Sequence, residues 1–193
     1  MFAAGNARFH GDLGGVRLNA PIVAMTALPD GSGYWLLGRD GGVFSFGAAN
    51  FYGSTGSLKL NAPVVGITAT TSGQGYWFVA SDGGIFAYGD ARFQGSMGGT
   101  PLNKPVVGMA ASPNGAGYWL VASDGGVFSF DVPFYGSTGD IKLNAPIIGM
   151  TASQAGTGYQ FVAVDGGIFN YNVPFYGSLA AAGTPNPVRS ITS

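Results

Sequence analysis

The residues able to do acid–base chemistry are few. The chain carries nine acids, every one an Asp, against eight Lys and Arg, a single His and no Cys, for a formal net charge of −1. Without Cys there is no thiolate, no disulfide and no His/Cys metal cluster. His10 is the only histidine base, and it stands in a repeated column otherwise filled by Tyr52, Gln94, Tyr135 and Tyr176. Glycoside hydrolysis needs two opposed carboxylates. Asp12, Asp90, Asp131 and Asp140 fall outside the repeat pattern and are the residues an Asp-based hydrolase would use, but nothing in their spacing brings them together. Asp40, Asp82, Asp124 and Asp165 each head an Asp-Gly-Gly triplet and read as turn formers. As calcium ligands they fall short, since such a site takes six to eight oxygens and each turn offers one carboxylate. No helix follows any Gly-Gly pair, which excludes a phosphate loop. The expectation is a protein without enzymatic activity and without a cofactor.

Binding chemistry is better represented. Trp35, Trp77 and Trp119 occupy one column, and the fourth copy has Gln160 there. A buried amide without partners is costly, so this tolerance predicts a column at an edge or groove. The column of Tyr52, Tyr135 and Tyr176 varies in the same way, which predicts a solvent-facing rim. Trp and Tyr faces there would stack on sugar rings, while Asn19, Asn61, Asn103 and Asn144 would bind hydroxyls. Each Asn also lies just ahead of a Pro, where turn formation alone accounts for it.

These columns exist because the chain repeats itself. The Asp-Gly-Gly turns at Asp40, Asp82, Asp124 and Asp165 are spaced by 42, 42 and 41 residues, and the prolines Pro21, Pro63, Pro105 and Pro146 keep the same steps. An aromatic-Gly marker occurs five times, at Phe9-His10-Gly11, Phe51-Tyr52-Gly53, Phe93-Gln94-Gly95, Phe134-Tyr135-Gly136 and Phe175-Tyr176-Gly177. Each unit predicts four strands, as in Pro105 to Ala111, Gly117 to Ser123, Gly126 to Phe130 and a short Phe134 to Ser137. Four strands in about 40 residues is the period of one propeller blade. The units run over about 21–62, 63–104, 105–145 and 146–186, with 187–193 plus 1–20 as a split fifth. The split unit holds copies of strands one, three and four but no Gly-Tyr-Trp strand. The one-residue shortening, from Gly89-Asp90-Ala91-Arg92-Phe93 to Asp131-Val132-Pro133-Phe134, falls in a loop. The columns Phe2, Phe44, Phe86, Phe128, Phe169 and Tyr34, Tyr76, Tyr118, Tyr159 never vary and predict packing between units.

Composition agrees with many short strands: 35 Gly and 11 Pro scattered among apolar runs, 46% hydrophobic and 13% aromatic residues, and only 9% charged against about 25% in an average soluble domain. So little charge excludes a nucleic-acid footprint, and no apolar run reaches the roughly 18 residues that span a bilayer. Absence of Glu and scarcity of Lys lean toward a secreted or cell-surface protein whose signal peptide lies outside this chain.

The run Gly117-Tyr118-Trp119-Leu120-Val121-Ala122-Ser123-Asp124-Gly125-Gly126-Val127-Phe128-Ser129-Phe130, with Phe134-Tyr135-Gly136-Ser137-Thr138-Gly139 and Leu143-Asn144-Ala145-Pro146, resembles repeats of secreted, often multidomain, actinobacterial proteins. The resemblance covers essentially the whole chain. It implies an extracellular repeat domain, similar in architecture to five-bladed lectins of the tachylectin type, and carries over no ligand or catalytic residue. Ala4 and Gln160 depart from the repeat.

The sequence therefore predicts an all-β fold: a single domain over 1–193, a five-bladed β-propeller of about 42-residue, four-stranded repeats, closed by the terminal segments, with one blade incomplete. An open β-repeat array or a β-solenoid is the alternative. The expected function is non-enzymatic recognition of carbohydrate or cell-wall glycan at repeated shallow sites. A structural or protein-interaction module, self-associating through the incomplete blade, is the second reading, and an Asp-based hydrolase the third.

Overall fold

A computed structural model describes residues 7–180 and 187–191. Twelve strands form four antiparallel sheets in chain order: β1 (Ile22–Ala27), β2 (Gly33–Gly38) and β3 (Val43–Gly47); β4 (Val64–Ala69), β5 (Gly75–Ala80) and β6 (Ile85–Gly89); β7 (Val106–Ala111), β8 (Tyr118–Ala122) and β9 (Val127–Phe130); β10 (Ile147–Ala152), β11 (Tyr159–Ala163) and β12 (Ile168–Tyr171). Contacts divide the chain into two compact units of two sheets each, Met1–Phe93 and Gln94–Ser193. Among the described residues no helix is long and apolar enough to cross a membrane.

Each sheet is built alike because each repeat supplies the same instructions. The middle strand is a continuous apolar run since both its faces are covered; all six residues of β5 are buried. Every first strand carries a bulge before its Gly or Ala, as between Val64 and Gly66, which twists it against its neighbour. The hairpin joining middle and third strands is closed by the turn Asp. Its Oδ1 accepts from the amide two residues on, at 3.0 Å for Asp40 and Gly42 and 3.0 Å for Asp124 and Gly126. The first Gly of that turn is obligatory: Gly125 has φ of +79°, and a Cβ there would stand 1.7 Å from Thr138 Oγ1.

The sheets have three strands each, not the four expected. The aromatic-Gly segments form no ladder. Their backbone is engaged otherwise: Tyr76 Oη donates to Gly53 O (2.7 Å) and accepts from the amides of Tyr52 and Gly53 (both 3.1 Å). Tyr159 makes the same latch on Tyr135 and Gly136. Gly53 and Gly136 sit at φ of +143° and +130°, outside the strand region. The invariant tyrosines are thus buried as expected, each clasping the loop of the preceding repeat. Burial pushes the phenols of Tyr76, Tyr118 and Tyr159 above their ordinary pKa, against the lowering by the amides that bond them.

The invariant Phe44, Phe86, Phe128 and Phe169 are half-buried rather than fully enclosed, and Phe2 lies outside the described residues. The loop shortening sits where the sequence placed it. Asp131 and Asn172 adopt the positive φ of Gly47 and Gly89, 52° and 55° against 67° and 69°. Asp and Asn tolerate that region best after Gly.

Candidate functional site

Two tethers shape the aromatic-Gly loops of Phe51, Phe93 and Phe134, and between them stands the phenylalanine. Trp119 Nε1 donates to Pro133 O at 2.8 Å, from the sheet the loop has just left. Tyr159 Oη takes the amide of Tyr135 at 3.1 Å, from the next sheet. Phe134 lies between these two anchored residues and projects outward. Trp35 and Tyr76 hold Asn50 and Tyr52 in the same way around Phe51. Phe9, Phe51, Phe93, Phe134 and Phe175 are all between 55 and 61% exposed. A large apolar ring fixed in water at equivalent positions in five repeats is a presented surface, unlike a lone exposed apolar residue, which is ordinary.

This reverses the expected placement of the aromatics. Trp35, Trp77 and Trp119 are buried, with their indole N–H groups bonded to the carbonyls of Asn50, Arg92 and Pro133. They are not a rim. Tyr52 and Tyr135 are half-buried, their rings set edge-on to Tyr76 and Tyr159 at 5.8 and 5.6 Å. Tyr176 alone of that column is open to solvent, at 93%. At Phe51–Tyr52 and Phe134–Tyr135, outward-facing Phe and inward-facing Tyr follow from one alternation.

The substitution that suggested an edge has a local explanation. Gln160 pairs across the ladder with Asn170, where Trp119 pairs with Ser129. The Asn170 amide donates to Pro174 O, the carbonyl equivalent to Pro133 O. The bond lost with the indole is replaced from the neighbouring strand, so Gln160, half-buried, is tolerated.

The asparagines are exposed on bends ahead of the first strands. Two of them line matching clefts. In the first unit Asn61 faces the turn residues Arg39 and Asp40 across Leu58, Leu60 and Pro63, in a cleft of about 260 Å³. In the second unit Asn144 faces Ser123 and Asp124 across Ile141, Leu143 and Pro146, with Lys104 and Lys142 at its edge, in about 390 Å³. Each cleft offers a carboxylate, an amide, a cation and an exposed aliphatic wall. Asn19 and Asn103 line neither. Asp12, Asp90, Asp131 and Asp140 are exposed. Among the described residues no group of three His, Cys, Asp or Glu is placed to hold a metal ion.

The backbone arrangement has a counterpart among solved structures. The β-propeller domain of Cps50 (Swd1) from Myceliophthora thermophila matches with a TM-score of 0.54 and 11% identity, over 79% of this chain. In fold, the chain is similar to a β-propeller domain. It spans about half, 52%, of that structure's length, and at this identity the likeness concerns fold alone. No protein-family model matches the chain, and no curated protein does.

Proposed function

We propose that the chain is a non-enzymatic, extracellular binding module that holds glycan at repeated shallow sites built on Phe9, Phe51, Phe93, Phe134 and Phe175. The observation that carries this reading is their common exposure, on loops tethered from both sides at Phe51, Phe93 and Phe134. A flat ring held rigidly loses little entropy when a sugar face packs on it. The clefts at Asp40–Asn61 and Asp124–Asn144 add the donors and acceptors that hydroxyls need. Sites of this kind bind weakly one at a time and gain by avidity when repeated. The proposal includes closure of the repeats into a five-bladed ring, with the chain's terminal segments contributing to the last blade, and location at a cell surface.

The test is a glycan array followed by titration of any hit. The double variant Phe51→Ala with Phe134→Ala should lose about tenfold or more in affinity, as expected for truncating central aromatic contacts. Asp40→Asn with Asp124→Asn should weaken binding less. Absence of binding to every glycan, or undiminished binding by the double Phe variant, removes the proposal.

A further inference from the structure

Each unit carries a small cleft where an Asp-Gly-Gly turn meets a Leu-Asn-Ala-Pro bend, and the two clefts hold the same groups at positions two repeats apart. Asp40 and Asn61 line the first, of about 260 Å³, and Asp124 and Asn144 the second, of about 390 Å³. Volumes at this lower edge of the range for ligand sites suit a small molecule. Oδ1 of each Asp closes its own hairpin, accepting the amide of Gly42 or of Gly126 at 3.0 Å. Oδ2 of each makes no hydrogen bond among the described residues. Both carboxylates are half-buried. An aliphatic side chain stands in water at each cleft: Leu58 is 60% exposed and Ile141 58%.

A cation accompanies the Asp in both clefts, although its place in the repeat changes. Arg39 supplies it in the first. The equivalent residue of the second is Ser123, and there Lys104 and Lys142 line the cleft instead. The charge is kept while the residue that bears it is not, which singles out the charge pattern of the cleft rather than any one side chain. Among the described residues no ion pair joins Asp40 to Arg39, or Asp124 to either lysine. Each cleft therefore presents a carboxylate and a cation held apart, beside a carboxamide and an aliphatic wall.

We propose that each of the two clefts binds a free aliphatic α-amino acid. Its ammonium group meets Oδ2 of Asp40 or Asp124, its carboxylate meets the cation and the Asn amide, and its side chain packs on Leu58 or Ile141. A ligand with one charge complements only half of this pattern and sets a like charge against the other half. A neutral hydroxyl satisfies donors and acceptors but neutralises neither charge. The head of an α-amino acid carries both charges on one carbon, so each finds its complement in a charge-assisted hydrogen bond. The proposal does not rest on the glycan reading, which is carried by the exposed phenylalanines.

The test is titration of the full chain with L-leucine, followed by calorimetry and NMR with no glycan present. Saturable binding at both clefts is expected. Leucinamide lacks the carboxylate and N-acetylleucine lacks the ammonium group, and each should bind about tenfold more weakly. Glycine, which has no aliphatic arm, should bind several-fold more weakly than leucine. Asp40→Asn and Asp124→Asn should each remove one of the two sites, and the double variant both. Asn keeps the Oδ1 acceptor that closes each hairpin, so thermal unfolding of these variants should stay in place. No saturable binding, equal binding of leucine and leucinamide, or undiminished leucine binding by the double variant overturns the proposal.

Discussion

A tryptophan and a phenylalanine on successive segments of one repeat, such as Trp119 and Phe134, divide its work between holding and presenting. Trp119 fills the core and fixes Pro133 by its indole N–H, and the neighbouring Phe134 is consequently held out in water. Removing the two rings should therefore have opposite signatures. Trp119→Ala should cost about 3–5 kcal/mol of stability in urea unfolding, as for other large buried side chains. Phe134→Ala should change stability by less than about 0.5 kcal/mol, as surface substitutions do. Comparable losses from the two would contradict this division. The sequence shows both residues recurring, but repetition alone does not tell a packed ring from a presented one. The Trp-to-Gln exchange at residue 160 pointed outward only because its compensation, Asn170, lies on another strand and carries no sequence signal linking the two.

At the level of elements, the repeat is held by two devices, the Asp-Gly-Gly hairpin and the tyrosine latch. The hairpin was legible from residue chemistry alone, since Asp and Gly in that order specify the turn. The latch was not, because a tyrosine hydroxyl reaching a loop 23 residues away competes with strand pairing and turns an expected fourth strand into a tethered loop. Gly125→Ala should destabilise by about 2–4 kcal/mol, combining a strained positive φ with a clash on Thr138. Tyr118→Phe should cost about 1–3 kcal/mol, because Gly95 O and the Gln94 amide lose their partner. The latch also sets an alkaline limit. The phenols of Tyr76, Tyr118 and Tyr159 titrate above the ordinary value of 10.0 in the folded chain. Above that pH the unfolded chain has released protons that the folded chain still holds, so stability present below pH 10 falls as pH rises further. Unfolding midpoints measured between pH 9 and 12 should decline, and less steeply in Tyr118→Phe; a flat profile would count against buried latches.

For the molecule as a whole, sequence periodicity carries the architecture: within each of the two units one repeat buries its apolar face on the other. Ile67 of β4, packed in the core of the first unit, is 8% exposed, while the equivalent Met25 of β1 is 52% exposed. The proposed binding belongs to the same scale, since equivalent phenylalanines would gain by avidity what each lacks alone. The decisive measurement is a titration with a bound glycan, followed by NMR of chain labelled at Phe and Trp. The account predicts that Phe ring resonances shift and saturate together while the three indole N–H signals stay in place. Movement of the indole signals with the Phe resonances unchanged would contradict it.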